Sequence, residues 1–345
     1  MIRRRFTIPL PDGRTLVLGE RTLVMGVINV TPDSFSDGGQ LFDAAQAVAA
    51  GVRMAEQGAD LLDVGGESTR PGAQPLGEDE ERRRVLPVVE GLARRVGVPL
   101  SVDTYKASVA DAALAAGATI VNDISGLRYE PALGEVAAKR RAPIVLMHTR
   151  GRSSAMYEQA SYHAVVDEVL DELRESIAFA TRAGIRADQI IVDPGLGFAK
   201  DAVHSYEVLA RLQAFAELGK PILAGPSRKS FLAKPLGPST PLGTGPSTSL
   251  GTRPSTSLGT RPSTSLGTSP STSLGTSPST SLGTSPSTSL GTSGKGAAAD
   301  RDWATAAAVT AAVLAGAHIV RVHAVPEMLQ VVRVADEIRK YKEEA

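Results

Sequence analysis

The residues able to do chemistry in this chain stand at the ends of short apolar runs. In order, those runs close on Asn29, on Asp63 with Gly65-Gly66-Glu67, on Asp103, on Asn122-Asp123, on His148, on Asp193-Pro194-Gly195, on Ser227-Arg228-Lys229, and on Arg321 with His323. Any one of these groups alone could be a cap or a buried ion pair, and Asp63 with Arg321 is a natural candidate for such a pair. Polar endings on every run in succession point instead to one shared site. The charges also sort. Asp103 and Asp193 place carboxylates near the amide of Asn122, and an ionised carboxylate only accepts hydrogen bonds, so this group suits a ligand edge rich in N–H donors. Lys229, Arg321 and His323 gather positive charge, with a bidentate fork available from Arg321, and suit an anionic leaving group such as a diphosphate.

Two segments between the runs read as loops that could close over a substrate. VTPDSFSDGG, Val30 to Gly39, is dense in turn formers and carries Phe35 and Asp37. GGESTRPGA, Gly65 to Ala73, carries Thr69, Arg70 and Pro71. Gly and Pro at this density suit mobile functional loops, and a Phe in a polar loop calls for an apolar partner.

Something must hold all these ends together. The apolar runs are Leu23–Ile28, Asp60–Val64, Pro99–Val102, Thr119–Asp123, Pro143–Met147, Gln189–Val192, Pro221–Ala224 and His318–Val322. Segments of helical period separate them, among them Ala44–Gln57, Glu80–Val96, Lys106–Ala116, Tyr162–Ala183 and Trp303–Ala315. Gly58, Gly117, Gly184 and Gly316 stand where four of these helices should stop. Strands alternating with helices make a parallel sheet with crossover helices, and eight such units favour an α/β fold of the closed (β/α)₈ TIM-barrel type over an open doubly wound sheet. In a barrel all eight strand ends meet at one mouth. Strand one, with Asn29, then closes beside strand eight. Phe6–Leu18, ahead of the first strand, reads as a β-hairpin turning at Asp12-Gly13.

Bulk properties exclude several classes. The 345 residues are 42% hydrophobic and 21% charged, enough apolar content for a core. Thirty-seven basic and 37 acidic residues balance, so no nucleic-acid footprint or membrane patch is implied. There is no cysteine, which removes disulfides and thiolate chemistry and suits a reducing, cytoplasmic setting. Met1–Arg5 is basic but leads into no signal-peptide core, and no membrane span is expected. No GxGxxG or P-loop follows the first strand.

One stretch stands apart. From Gly243 to Leu290 the octapeptide GT[G/R/S]PSTSL repeats six times, with ragged copies on either side. With one Leu per repeat and no aromatic residue it has too little apolar surface to offset the entropy of ordering. Disorder is expected over 237–299, in preference to a short-period β-helix. The chain is then one domain, 1–345, with this low-complexity insertion in the loop after strand seven.

The runs MGVINVTPDSFSDGG (Met25–Gly39), LLDVGGESTRPGA (Leu61–Ala73), SVDT (Ser101–Thr104), VNDISG (Val121–Gly126), DPGLGFAKD (Asp193–Asp201), GPSRKSF (Gly225–Phe231) and RVH (Arg321–His323) resemble the dihydropteroate synthase family, in that family's order. The first two are highly specific. The resemblance implies a transferase of folate biosynthesis that joins 4-aminobenzoate to 6-hydroxymethyl-7,8-dihydropterin diphosphate and expels pyrophosphate. It implies that Asp63, Asp103, Asn122, Asp193, Gly225 and Lys229 hold the pterin, with Met147 against its ring. It places Mg²⁺ on Asn29, and the diphosphate on that ion and on Arg321 and His323. Thr69, Arg70, Pro71, Phe198 and Ser230 would border the aminobenzoate, with Phe35 and Asp37 closing over it. It also implies a homodimer. Ala324 departs from the Asp that often follows the RVH motif. Two rivals share the scaffold: a pterin-dependent methyltransferase, which needs no diphosphate grip, and a pterin-binding homologue without turnover.

Overall fold

The computed structural model describes residues 3–31, 40–69, 72–152, 156–158, 160–236 and 301–344. A two-stranded antiparallel hairpin, β1 (Phe6–Pro9) and β2 (Thr15–Leu18), precedes eight parallel strands. These are β3 (Leu23–Asn29), β4 (Leu61–Gly65), β5 (Leu100–Asp103), β6 (Ile120–Asp123), β7 (Ile144–Met147), β8 (Ile190–Asp193), β9 (Leu223–Ala224) and β10 (Ile319–Val322). Their order is β8-β7-β6-β5-β4-β3-β10-β9. A parallel bridge between Val192 and Ile222, with Val192 N–H donating to Pro221 O at 3.0 Å, joins the two ends into a ring. The sheet is a closed (β/α)₈ barrel, and each strand lies within one residue of the expected run except β9, which begins two residues later.

The helices are α1 (Gln40–Glu56), α2 (Glu78–Ala93), α3 (Ala107–Ala115), α4 (Ala132–Arg140), α5 (Val165–Arg182), α6 (Ala202–Ala210), α7 (Asp302–Leu314) and α8 (Val325–Glu344). Gly58, Gly117, Gly184 and Gly316 do take left-handed conformations at four helix ends, with φ between +95° and +114°. Three expected boundaries move by three residues or more: α1 begins at Gln40 rather than Ala44, α2 ends at Ala93 rather than Val96, and α5 starts late. Helix α5 begins at Val165 rather than Tyr162, because the Glu168 carboxylate accepts from the N–H groups of His163 and Ala164 at 2.7 and 2.8 Å and so caps the helix there.

Two apolar layers follow from the strand period of two. Outward residues such as Val24, Leu62, Val102, Val121, Leu146, Val192 and Val320 join the helices in the main core. Inward residues Leu23, Met25, Leu61, Ile120, Val145, Ile191, Leu223 and Ile319 form a separate cluster with Ile8, Leu10, Leu16 and Leu18 of the hairpin. The hairpin therefore plugs the N-terminal end of the barrel. A two-stranded hairpin is marginal alone, and burial of four aliphatic side chains, at about 1.5–3 kcal/mol each, suffices to hold it there. With that end sealed, a ligand reaches the interior from the C-terminal mouth. The expected insertion, 237–299, lies outside the described residues.

Candidate active site

The alternation that fills the plugged layer builds the site one step above it. Two residues beyond Leu61, Ile120, Val145, Ile191 and Ile319, on the same inward face, stand Asp63, Asn122, Met147, Asp193 and Arg321. Asp103 at the end of β5 and Gly225 just past β9 extend the ring. Seven strands thus deliver one largely polar layer to the mouth.

Within it, Arg321 reaches across the barrel. Its Nε donates to Asp63 Oδ2 at 2.6 Å and its Nη2 to Asp103 Oδ2 at 2.7 Å. Asn122 Nδ2 donates to the same Asp63 oxygen at 2.9 Å. Asp63 is fully buried, and its Oδ1 has no partner among the described residues. Burial pushes the Asp103 carboxyl up, and Arg321 opposes the shift. Burial likewise raises Asp193, against Lys229, the Gly195 N–H and Lys200. Arg321 stays above its ordinary value because Asp63 and Asp103 outweigh its desolvation. The cations and carboxylates therefore do not occupy separate pockets, as the charge sorting suggested. An inward β10 side chain in a narrow barrel meets β4 and β5 before it reaches the rim.

An apolar wall stands beside the carboxylates. Tyr105, Ile124 and Met147 pack together, with Tyr129 and Phe198 against them. Lys229 Nζ lies 4.3 Å from the Phe198 ring centroid and donates to Leu196 O. Burial pulls the Lys229 amine down to about 8, with Asp193 opposing. Asp193 Oδ1 accepts from Gly195 N–H at 2.7 Å, which shapes the turn after β8. Gly195 has φ +70°, and a Cβ there would lie 2.0 Å from His148 O, so no other residue fits.

The remaining candidates occupy the rim. Ser227 Oγ and His323 Nδ1 are 2.9 Å apart, and His323 N–H donates to the same oxygen at 3.2 Å. Asn29 is half-buried at the end of β3, in register with Gly65. Thr69 is half-buried, and Ser230 is exposed at the start of a 3₁₀ turn, Ser230–Leu236. Arg228 faces away, in a bidentate pair with Asp302 at 2.7 and 2.8 Å that ties the loop to α7. Phe35, Asp37, Arg70 and Pro71 lie outside the described residues.

Sequence reading missed several participants. Tyr105 and Ile124 each lie one or two residues beyond a strand end, and nothing in their type marks them. Lys106 is buried between Glu67 and Glu81, while Glu67 also accepts from Leu76 N–H at 3.1 Å and so closes the base of the β4–α2 loop. Lys200 is almost fully buried behind the Asp193 turn. A lysine inside the apolar run GLGFAK was the available signal for it.

A barrel mouth with an N–H-accepting carboxylate layer, an apolar wall for a flat ring and cations within reach defines a pterin-binding protein. The pterin binding enzyme family matches residues 25–249, and the chain belongs to it. More narrowly, it is 37% identical over 332 residues to the dihydropteroate synthase of Synechocystis sp., covering 96% of this chain and 95% of that one. Among solved structures it is similar to Xanthomonas albilineans dihydropteroate synthase with 4-aminobenzoic acid, at 36% identity and TM-score 0.73, covering 96% of this chain and 98% of that one. The same enzyme in complex with 7,8-dihydropteroate is 33% identical with TM-score 0.70, covering 96% of this chain and 99% of that one.

Proposed function

We infer that this barrel is a dihydropteroate synthase, a transferase that condenses 4-aminobenzoate with 6-hydroxymethyl-7,8-dihydropterin diphosphate in folate biosynthesis. The observation that carries the reading is the inward layer of Asp63, Asp103, Asn122 and Asp193, with the unpartnered Asp63 Oδ1, facing an apolar wall. A pterin presents N–H and NH₂ groups along one edge and a flat face, so it would satisfy those acceptors and stack on Met147, with Phe198 toward the aminobenzoate.

The mechanism follows from charge. As the exocyclic C–O bond breaks, its electron pair leaves with the diphosphate and positive charge spreads into the pterin. Asp103 and Asp193 stabilise that charge from below. Arg321, His323 and Lys229 neutralise the departing anion, the type of preorganised electrostatics usually largest in catalysis. The neutral aryl amine then forms the C–N bond and releases one proton to solvent or to the diphosphate. No strong general base is needed.

Mg²⁺ fits in a limited way. Among the described residues no cluster of three or more His, Asp or Glu side chains could hold a metal. Asn29 offers one amide oxygen at the mouth, and Mg²⁺ commonly takes few protein ligands beside substrate phosphates and water. Bound there with the diphosphate, it would supply further charge neutralisation. Thr69 and Ser230, at the rim, would border the aminobenzoate.

A homodimer is part of the reading. Val334, Ile338 and Tyr341 recur at helical spacing along α8 and are 63%, 43% and 69% exposed, an apolar stripe that a second copy would cover. Sedimentation as a single chain at micromolar concentration would refute it. A cytoplasmic setting is supported by the absence of cysteine; no helix among the described residues is long and apolar enough to cross a membrane.

A coupled assay for pyrophosphate release tests the activity. Release should require both substrates, fall on chelation of Mg²⁺, and vanish in Asp193→Asn and Lys229→Ala with the fold intact. No release from the unsubstituted protein would leave a pterin-binding homologue without turnover.

A further inference from the structure

The turn after β8 carries the core of the pterin site, yet its backbone is unfavourable. Gly195, Gly197 and Ala199 have φ of +70°, +76° and +46°, and Ala199 has a side chain that disfavours the left-handed region. Behind it lies Lys200, 1% exposed. Its Nζ donates to Gly195 O at 3.2 Å and to Phe198 O at 3.1 Å, the two ends of the strained segment. A third bond, 2.8 Å long, goes to His148 Nδ1. His148 Nε2 in turn meets Glu172 Oε2 at 3.1 Å, and Glu172 is held by Arg150 and Arg128. Burial pulls the Lys200 amine down to about 7, with Asp193 opposing, and the three acceptors around Nζ match the three protons of an ammonium.

We propose that Lys200 is a positioning residue of the pterin site: its ammonium pins Gly195 O and Phe198 O, the two ends of the turn, so that Asp193 stands where the pterin needs it. The groups around Lys200 are His148 from β7, Arg150 and Tyr162 from the segment that follows it, Glu172 from α5, Asp193 from β8 and Lys229 from beyond β9. Those that bear on Asp193 are Lys229, Lys200 and Arg321. The bonding requires His148 to accept at Nδ1 and donate from Nε2, which fixes one neutral tautomer; burial and the neighbouring Lys200 keep it neutral by pulling its value down to about 3. The relay from Glu172 through His148 thereby aims Lys200 at the turn.

The proposal rests on the pterin assignment of Asp193, whose own test, Asp193→Asn, is independent of Lys200. In Lys200→Met, kcat/KM for the pterin diphosphate should fall about tenfold to a hundredfold, the scale of a small misplacement of binding groups. The acidic limb of the kcat/KM profile should move to higher pH, because removing a nearby cation makes Asp193 harder to ionise. A purely structural lysine would not move that limb. The chain has no cysteine, so Lys200→Cys can be alkylated in denaturant and refolded, either with bromoethylamine to restore an ammonium or with iodoacetamide to leave a neutral amide. Recovery of pterin turnover in the first arm alone supports the proposal, even if the methionine variant does not fold. Equal turnover in both arms, or an unmoved acidic limb in a folded Lys200→Met, overturns it.

Discussion

Replacing Asp63 by Asn removes one charge and almost no volume from the centre of the barrel. Asp63 Oδ2 accepts from Arg321 Nε at 2.6 Å and from Asn122 Nδ2 at 2.9 Å, while its Oδ1 has no partner among the described residues. In the variant the amide oxygen can keep both donors, but the guanidinium bond loses its ionic partner and about half its strength. With such bonds contributing about 1.5–3 kcal/mol, the loss in stability should be about 1–1.5 kcal/mol. It is moderated by Asp103, which still holds Arg321 Nη2 at 2.7 Å. The ligand should feel more. The new NH₂ then occupies the position of Oδ1 and points a donor where the pterin would also bring one. An unpaired buried donor costs about 1–3 kcal/mol, which raises the pterin Kd by a factor of about 5 to 150. Urea unfolding measures the first quantity, and titration of pterin fluorescence on the folded variant measures the second. A pterin Kd within about threefold of the parent protein, beside the expected stability loss, would show that Oδ1 is not a ligand acceptor and refute the reasoning.

Three other outcomes follow from Lys229 and the turn after β8. Lys229 is protonated below about 8 and neutral above it, so kcat/KM should fall on the alkaline side with an apparent pKa near that value; Lys229→Arg should keep its residual activity flat across that range, and a limb that persists there belongs to another group. Because its folded value lies below the ordinary 10.5, the unfolded chain binds the proton more tightly, and this group makes stability rise as pH climbs from about 8 to 10.5. Gly195→Ala combines a left-handed φ with a Cβ 2.0 Å from His148 O, and should cost at least about 2 kcal/mol in chemical denaturation along with pterin binding. A wild-type unfolding midpoint would mean that the turn has another conformation.

Much of this site could be read from the chain before any folding was known. The strand period of two already put Asp63, Asn122, Asp193 and Arg321 on one face of their strands, and the β/α alternation already put those strands in one ring. Local rules suffice there, because each strand's inward face repeats along its own sequence. The helix-ending glycines and the hairpin were legible for the same reason. The octapeptide stretch was legible only as composition.

Distance across the barrel was not local. The sequence separates Arg321 from Asp63 and Asp103 by more than two hundred residues, and its charge pattern suggested two pockets where closure makes one. Only the tertiary structure decided that β10 faces β4 and β5 closely enough to pair, that Asp63 keeps one oxygen without a partner, and that Lys200 turns inward. The physical reason is that the strand period dictates which way a side chain points, whereas ring closure dictates what it meets. Burial then sets the charge each group can hold.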